Sequence, residues 1–387
     1  MWLDFRIIPL FAPFLPSREA RASTRSRTLK IDTVLPWEDP SWDRFVEAHP
    51  AAMVYHSSSW CKLVRDAGGY EPYCLMIRNA EGIRGVMPLL LIRSRLTGSR
   101  MVCLPFSDVC YPLADSNDTA RMLVEKALDL SREEQTSYLE IRGAPAVPGS
   151  GTGAASPECF KDLEFSATHH FNNYIIPLSK NTEAIRKALH RGQRQQINKS
   201  YRVGVQARIG KGENDIREFY RLYLLNRRRF GIPPQPRKFF SELLDRLTEN
   251  PKSLLYIAEY QARTAAAIIA LRYKGVCYGK YGAAEMAFRS AFPLHALLWK
   301  LIEDAALDGE VAFDFGRTAT DNEGLNAFKS RWGTWCEALP YYFHPPKEGL
   351  SVVKSDSLKY KLFTGVVRRL PLTIHERLGS RMFRHFG

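Results

Sequence analysis

Apolar and polar positions along the chain follow two periods, and the same succession of periods occurs twice. Residues 42–48 and 58–67 space apolar side chains three and four positions apart, which gives a helix one buried face. Apolar runs at 71–78 and 83–92 follow on either side of Asn79-Ala80-Glu81-Gly82, predicting an antiparallel strand pair closed by a turn. Further on, a helical spacing at 237–247 precedes strand-like runs at 253–260 and 265–273, hinged at Gln261-Ala262-Arg263-Thr264, whose residues favour a turn less strongly. Each pair leads into another strand (101–105; 276–281), a helix (119–130; 295–307) and a final strand (138–142; 311–315). The order of elements is duplicated although the residues are not.

Strand pairs followed by a helix and a strand predict an α+β fold, with mixed sheets flanked by helices in two tandem domains. A length of 387 residues suits two cores of middling size. The boundaries expected are a disordered leader at 1–34, a first domain at 35–145, a linker and connecting segment at 146–170, a second domain at 171–345 and a basic amphipathic tail at 346–387. The linker is Pro/Gly/Ser-rich from 144 to 157, and the second domain opens with a strand at 172–178 and one long helix over 182–202. The apolar opening around residues 5–15 follows Asp4, is interrupted by Pro9 and Pro13 and lacks a small-residue cleavage site, so it reads as a disordered leader or a misassigned start and not as a signal peptide.

Charge narrows the partners. Lys and Arg number 55 against 41 Asp and Glu, a net +14, which suits a polyanionic neighbour: a phosphate-bearing substrate, RNA or anionic lipid. The seven cysteines form no CxxC pair and several sit in apolar runs, so they read as reduced, buried thiols of a cytoplasmic protein. No apolar stretch reaches the length of a membrane-spanning helix. There is no Gly-x-Ser-x-Gly elbow, HExxH, P-loop or GxGxxG, and His169, His170 and His295 lack plausible metal partners, so no metal site is expected.

Gly82-Ile83-Arg84-Gly85-Val86-Met87-Pro88-Leu89 and Leu104-Pro105-Phe106-Ser107-Asp108 resemble the first domain of FemAB-like proteins. Asp314-Phe315-Gly316-Arg317-Thr318 and Gly324-Leu325-Asn326-Ala327-Phe328-Lys329-Ser330-Arg331-Trp332-Gly333 resemble the closing signature of the second. With Phe219-Tyr220-Arg221-Leu222-Tyr223 and Arg229-Phe230-Gly231-Ile232-Pro233 the resemblance covers roughly 35–345, and it is nearest to the FemAB-related proteins of exosortase and exopolysaccharide loci, with a BioF2-like acetyltransferase domain. It implies two GNAT-type (N-acyltransferase) domains, acyl transfer to an amine, and acyl-CoA or aminoacyl-tRNA as donor substrate, with no bound cofactor.

Acyl transfer to an amine passes through a tetrahedral oxyanion that a fixed cation stabilises, and it needs a group to take the amine proton. Lys329 is the cation that the resemblance to peptidoglycan-bridge enzymes implies, with Phe328 beside it; its other reading is a solvent-facing helix lysine. Asp314, ending an apolar strand before Gly316, is either the base or a turn former. Asp108 and Asp115 flank Tyr111-Pro112-Leu113, where the family pattern has Gly in place of Tyr111, and Asp321 competes with them. Arg317 lies in the same signature. Lys187, Arg191 and Arg194 fall on one face of the helix expected at 182–202, which carries six cations to one anion, and form either a phosphate-binding or a solvated face. Arg229 matches the family's acceptor-side arginine. Arg289 precedes Pro293 where a GNAT enzyme usually has a glycine-rich phosphate cradle; no glycine occurs from 289 to 295.

From Lys354 onward the chain has eight Lys and Arg against Asp356 and Glu376, set among Leu, Phe, Val and Ile. Such a tail lies on an anionic membrane or docks on its own domain; the membrane reading is slightly preferred. The expected function is acyl or aminoacyl transfer to a peptidoglycan or exopolysaccharide precursor, cytoplasmic and peripheral at the inner membrane. The expected partners are a phosphate-bearing donor, the envelope precursor and a transient tRNA, with no DNA. The rival is a catalytically silent GNAT-fold scaffold. An RNA-binding protein is a third reading that rests on charge alone.

Overall fold

The computed structural model describes residues 29–143, 157–346 and 358–385. The first half runs β1 (Lys30–Thr33), α1 (Pro40–Ala48), α2 (Ser58–Gly68), β2 (Glu71–Pro72), β3 (Leu75–Asn79), β4 (Gly82–Met87), β5 (Leu90–Ile92), β6 (Arg100–Val102), β7 (Leu113–Ala114), α3 (Asn117–Glu133) and β8 (Leu139–Arg142). The second opens with β9 (Ser166–Pro177), α4 (Thr182–Ala188), α5 (Arg191–Arg202), β10 (Gln206–Ile209), α6 (Gly212–Phe230) and α7 (Arg237–Arg246). It continues through β11 (Lys252–Tyr260), β12 (Arg263–Tyr273), β13 (Val276–Ala284), α8 (Pro293–Leu307), β14 (Ala312–Ala319), α9 (Glu323–Ser330) and β15 (Trp335–His344). Two tail helices follow, α10 (Leu358–Arg369) and α11 (Leu372–Met382).

An eleven-stranded sheet crosses both halves in the order β10-β11-β12-β13-β14-β9-β15-β8-β6-β5-β2, and a four-stranded sheet, β1-β3-β4-β7, belongs to the first half. The halves are joined where β15 pairs antiparallel with β8, Tyr341 opposite Arg142. Each half contains a parallel strand pair bridged by a helix: β6 and β8 around α3, β13 and β14 around α8. That is the α+β architecture with tandem domains that the sequence predicts. A second core beneath α8 buries Trp299, Phe313 and Trp332.

The predicted first-half strands are each cut in two. Pro72 ends β2 and Pro88 separates β4 from β5, because proline has no N–H to carry a ladder onward. The parts fall in different sheets, β2 and β5 in the large one and β3 and β4 in the small one. The predicted 182–202 helix is also interrupted: Leu189 is extended, with ψ 144, and the His190 ring accepts from Gly192 N as the N-cap of α5. Lys187 and Arg191 therefore do not share a helical face, which corrects that expectation.

The leader expected at 1–34 lies outside the described residues up to 28, and its last part is strand β1, paired with β3. The linker region 144–156 lies outside them as well, and β9 begins inside the expected connecting segment. Beyond 346–357, also largely outside, the tail packs against α6 and the first half. Phe383 stacks on Phe106 with centroids 4.5 Å apart, Arg100 donates to His385 O at 2.9 Å, and the His375 ring meets Ile232 O at 3.1 Å. Gly379 allows this approach, since a Cβ there would collide with the Pro234 carbonyl. The tail thus docks on its own domain through one face, the less favoured of the two expectations.

Candidate active site

Strands β13 and β14 pair only from Val276 to Tyr278 with Ala312 to Asp314, then part. Just past that point β14 bulges against β9 between Asp314 and Arg317, and Gly316 takes φ 70. A side chain at Gly316 is excluded twice over: the conformation is left-handed, and its Cβ would lie 3.0 Å from Asp108 Oδ2. The first half thereby delivers a carboxylate to the place where the second half's strands diverge.

Asp108 is held on several sides. Lys280 Nζ, from β13, lies 2.8 Å from its Oδ2, and the Tyr55 hydroxyl donates to the same oxygen at 3.0 Å. Arg317 Nε is 3.5 Å from Oδ1 and Arg317 Nη1 donates to Tyr341 OH at 2.6 Å, while that hydroxyl donates to Asp108 O at 2.7 Å. Burial raises the Asp108 carboxyl pKa, but the Lys280 and Arg317 charges and the Lys280 and Tyr55 hydrogen bonds outweigh it and hold it below the usual value. Burial lowers the Lys280 ammonium, with Asp108 opposing.

Asp314 and Lys329 lie just beneath. Asp314 is buried, accepting from Gly316 N at 2.6 Å and Asn173 Nδ2 at 3.1 Å, and burial pushes it up to about 6 against those two bonds. Lys329 Nζ donates to Phe315 O at 2.8 Å and Gly316 O at 2.7 Å, supplying donors to the two carbonyls of the bulge. Burial lowers it to about 8, opposed by Asp108 and Asp314.

Above this floor opens a cleft of 640 Å³ lined by both halves and by the tail. Its charged lining is Asp108, Lys280, Arg317 and Arg227, and Asp108 is its one carboxylate among the described residues. Of the residues marked from sequence, Asp108 and Arg317 line it, and Asp314 and Lys329 support its floor. Phe328 packs on His295 and Trp332 in the second core. Asp115 is turned away, paired with Arg84 at 2.5 Å. Arg194 donates to Lys187 O and Leu189 O at the end of α4, and Lys187 and Arg191 are exposed. Arg229 is exposed against Met286 and Phe230, while its neighbour Arg227 lines the cleft; Arg289 is exposed in the turn before α8. Asp321 is exposed after β14.

Sequence reasoning missed Lys280 and Tyr55. Lys280 had a readable signal: a charge inside an aromatic strand, between Gly279 and Gly282, where a bare backbone permits close approach. Tyr55 had none. Six of the seven cysteines are buried and free, as expected, whereas Cys336 is exposed.

Residues 182–330 match the family of the acetyltransferase (GNAT) domain. No curated protein is significantly similar to the chain in sequence. Among solved structures the fold resembles FemX, with TM-score 0.63, 16% identity, and coverage of 81% of this chain and 96% of that one. L-PGS from Bacillus licheniformis gives TM-score 0.53 and 12% identity over 88% of this chain and 99% of that one. A tandem GNAT protein from the clavulanic acid biosynthesis pathway gives 0.52 and 9% over 82% and 98%. At these identities the likeness is one of fold. With an acetyltransferase (GNAT) domain at residues 182–330 and a tandem GNAT fold throughout, the chain is similar in fold to FemX and to tandem GNAT proteins.

Proposed function

We propose that this cleft moves an acyl or aminoacyl group from a phosphate-bearing donor to an amine of a cell-envelope saccharide or peptide precursor. The observation that carries the reading is the meeting of Asp108 with Lys280 and Arg317 where β13 and β14 part. Strands that diverge leave backbone groups facing the gap, available to a ligand's amide or thioester. Acyl-CoA is the donor the GNAT domain favours; aminoacyl-tRNA is the alternative. Arg227 in the cleft, and Arg289 and Lys199 near the start of α8, are the cations that meet its phosphates.

Asp108 draws in the acceptor ammonium, which releases one proton to solvent, and the neutral amine then attacks the acyl carbon as Asp108 takes its second proton. Lys280 and the buried charge of Lys329 stabilise the oxyanion. The C–N bond forms, the bond to the leaving group breaks with its electron pair, and Lys280 protonates that group. Asp108 then returns a proton to Lys280 across their 2.8 Å contact, and the site is reset.

The outer face of the tail supports a place at the membrane. Leu362, Val366 and Ile374 are exposed there beside Lys361, Arg368, Arg369, Arg377 and Arg381, a set that suits anionic headgroups. The chain then works on the cytoplasmic side, where its precursor is made, and exopolysaccharide is as good an acceptor class as peptidoglycan.

The test is mass spectrometry of envelope precursors from a deletion strain complemented with variants. Wild type should restore a missing acyl or aminoacyl mass. Lys280→Met and Lys329→Met should lower turnover ~100- to 1000-fold with binding retained. Full complementation by a well-folded Lys280→Met protein removes the proposed chemistry.

A further inference from the structure

The cleft is uneven in chemistry. Its charges gather at the floor, while the stretch leading outward is walled by Phe106, Phe230, Ile232, Pro233, Phe363 and Phe383. Phe230 is 51% exposed at the end of α6, and two of the other rings come from the docked tail. A concave, aromatic wall of this kind fits either sugar rings, which need hydrogen bonds as well, or a hydrocarbon chain, which needs none.

The backbone of the wall decides between them. Along Gly231–Pro234 the two prolines have no N–H, Gly231 N is used by Arg228 O at 2.9 Å, and Ile232 N by Arg227 O at 3.0 Å. On the acceptor side, Ile232 O meets the His375 ring, Pro233 O accepts from Arg227, and Gln235 Oε1 accepts from Tyr223 OH. The loop has no free N–H, and Ile232 O and Pro233 O are engaged, so a polyhydroxylated ligand finds little to bond there. The Arg227 Nε, buried and without a partner, marks the place where an anionic group ends the apolar stretch.

We infer that the cleft binds a substrate with an extended hydrocarbon chain, held between Phe106 and Phe383 on one side and Phe230 and Phe363 on the other, with its anionic end toward Arg227. This rests on the acyltransferase reading above and narrows it: the chain belongs either to a fatty acyl donor or to a lipid-linked acceptor. The tail helices are then part of the binding site, since without them the chain has one wall.

The experiment is calorimetric binding to the full chain, which needs no turnover. Probes are acetyl-, octanoyl- and decanoyl-CoA as donors, and octyl and decyl phosphate as stand-ins for a lipid-linked acceptor. Burying each methylene should tighten binding by up to about fourfold, so decanoyl-CoA should bind at least ~100-fold better than acetyl-CoA, and decyl phosphate up to about 16-fold better than octyl phosphate. A gain in the CoA series alone assigns the chain to the donor; a gain with the alkyl phosphates alone assigns it to the acceptor. Phe230→Ser, at an exposed position where folding is little affected, and Phe363→Ser should each remove most of the gain with chain length. Affinity independent of chain length in both series overturns the inference and leaves the acyltransfer chemistry untouched; full turnover in a well-folded Lys280→Met protein with the chain-length gain retained does the reverse.

Discussion

The two parallel strand pairs are built alike and finished differently. In the first half Val102 lies opposite Glu140, and in the second Tyr278 lies opposite Asp314, so each closing strand places a buried carboxylate at the same step. Two residues on, the first half has Arg142 and the second has Gly316. Arg142 is 2% exposed, donates to Glu140 Oε1 at 2.7 Å and Ser107 O at 2.6 Å, and plugs the gap beyond the pair. Gly316 leaves that gap open, and Asp108 comes over from the plugged half to face it. One copy of the fold has become a scaffold that holds a carboxylate out for the other.

The largest expected effect comes from unplugging the scaffold. Arg142→Leu leaves Glu140 as a buried charge without its partner, which should cost about 3–5 kcal/mol of folding free energy. Glu140→Leu combined with it should recover most of the loss. Lys280→Leu should cost less, because Asp108 retains Tyr55 and Arg317 and 16% of its side-chain exposure. Urea midpoints of the variants check the order; an Arg142→Leu midpoint equal to that of Lys280→Leu would break the comparison.

The open half should also set the pH response. Asp314, raised to about 6, is ionised above that pH, and Lys329, lowered to about 8, is charged below it. Turnover should therefore plateau between about 6 and about 8, falling tenfold per unit outside, on the acid side as Asp314 protonates and releases Gly316 N, and on the alkaline side as Lys329 loses its charge. Asp314→Asn should remove the acid limb and Lys329→Met the alkaline one. A profile unchanged in both variants would detach these two residues from the reaction.

The contrast between halves explains what could be read in advance. Element order, the tandem fold and the long second-half hairpin follow from periodicity, because strands of nine and eleven residues show their pattern plainly. The first half's strands hid the change of sheet, since Pro72 and Pro88 could equally mark an edge. At the site, Asp108, Asp314, Arg317 and Lys329 were recognised by motif, yet Lys280 lies 172 residues from Asp108 and no local pattern announces that pairing. The 182–202 segment misled because a cap at His190 was hidden inside a continuous basic run; Arg194, counted as a ligand, holds the broken end together.

The smallest effect concerns two turns of the second half. Each joins its strands by a two-residue loop: Gln261-Ala262 between Tyr260 and Arg263, and Lys274-Gly275 between Tyr273 and Val276. All four residues have positive φ, 51 and 56 in the first turn, 48 and 77 in the second, so both are mirror-image turns suited to the strands' twist. The second uses glycine at its last position and the first does not, which is why the first turn was hard to recognise. Left-handed backbone costs a residue with a Cβ about 1–2 kcal/mol, and glycine's extra freedom in the unfolded chain offsets part of that. Ala262→Gly should therefore stabilise the fold by roughly 0.5–1 kcal/mol, and Gly275→Ala, with Val311 Cγ2 a comfortable 3.5 Å from the added carbon, should lose a similar amount through the backbone alone. Paired urea titrations measure both. Opposite signs of similar size mean that the two turns differ only in how they meet the same conformational demand; a loss at both positions means that Ala262 is held by contacts that the backbone argument leaves out.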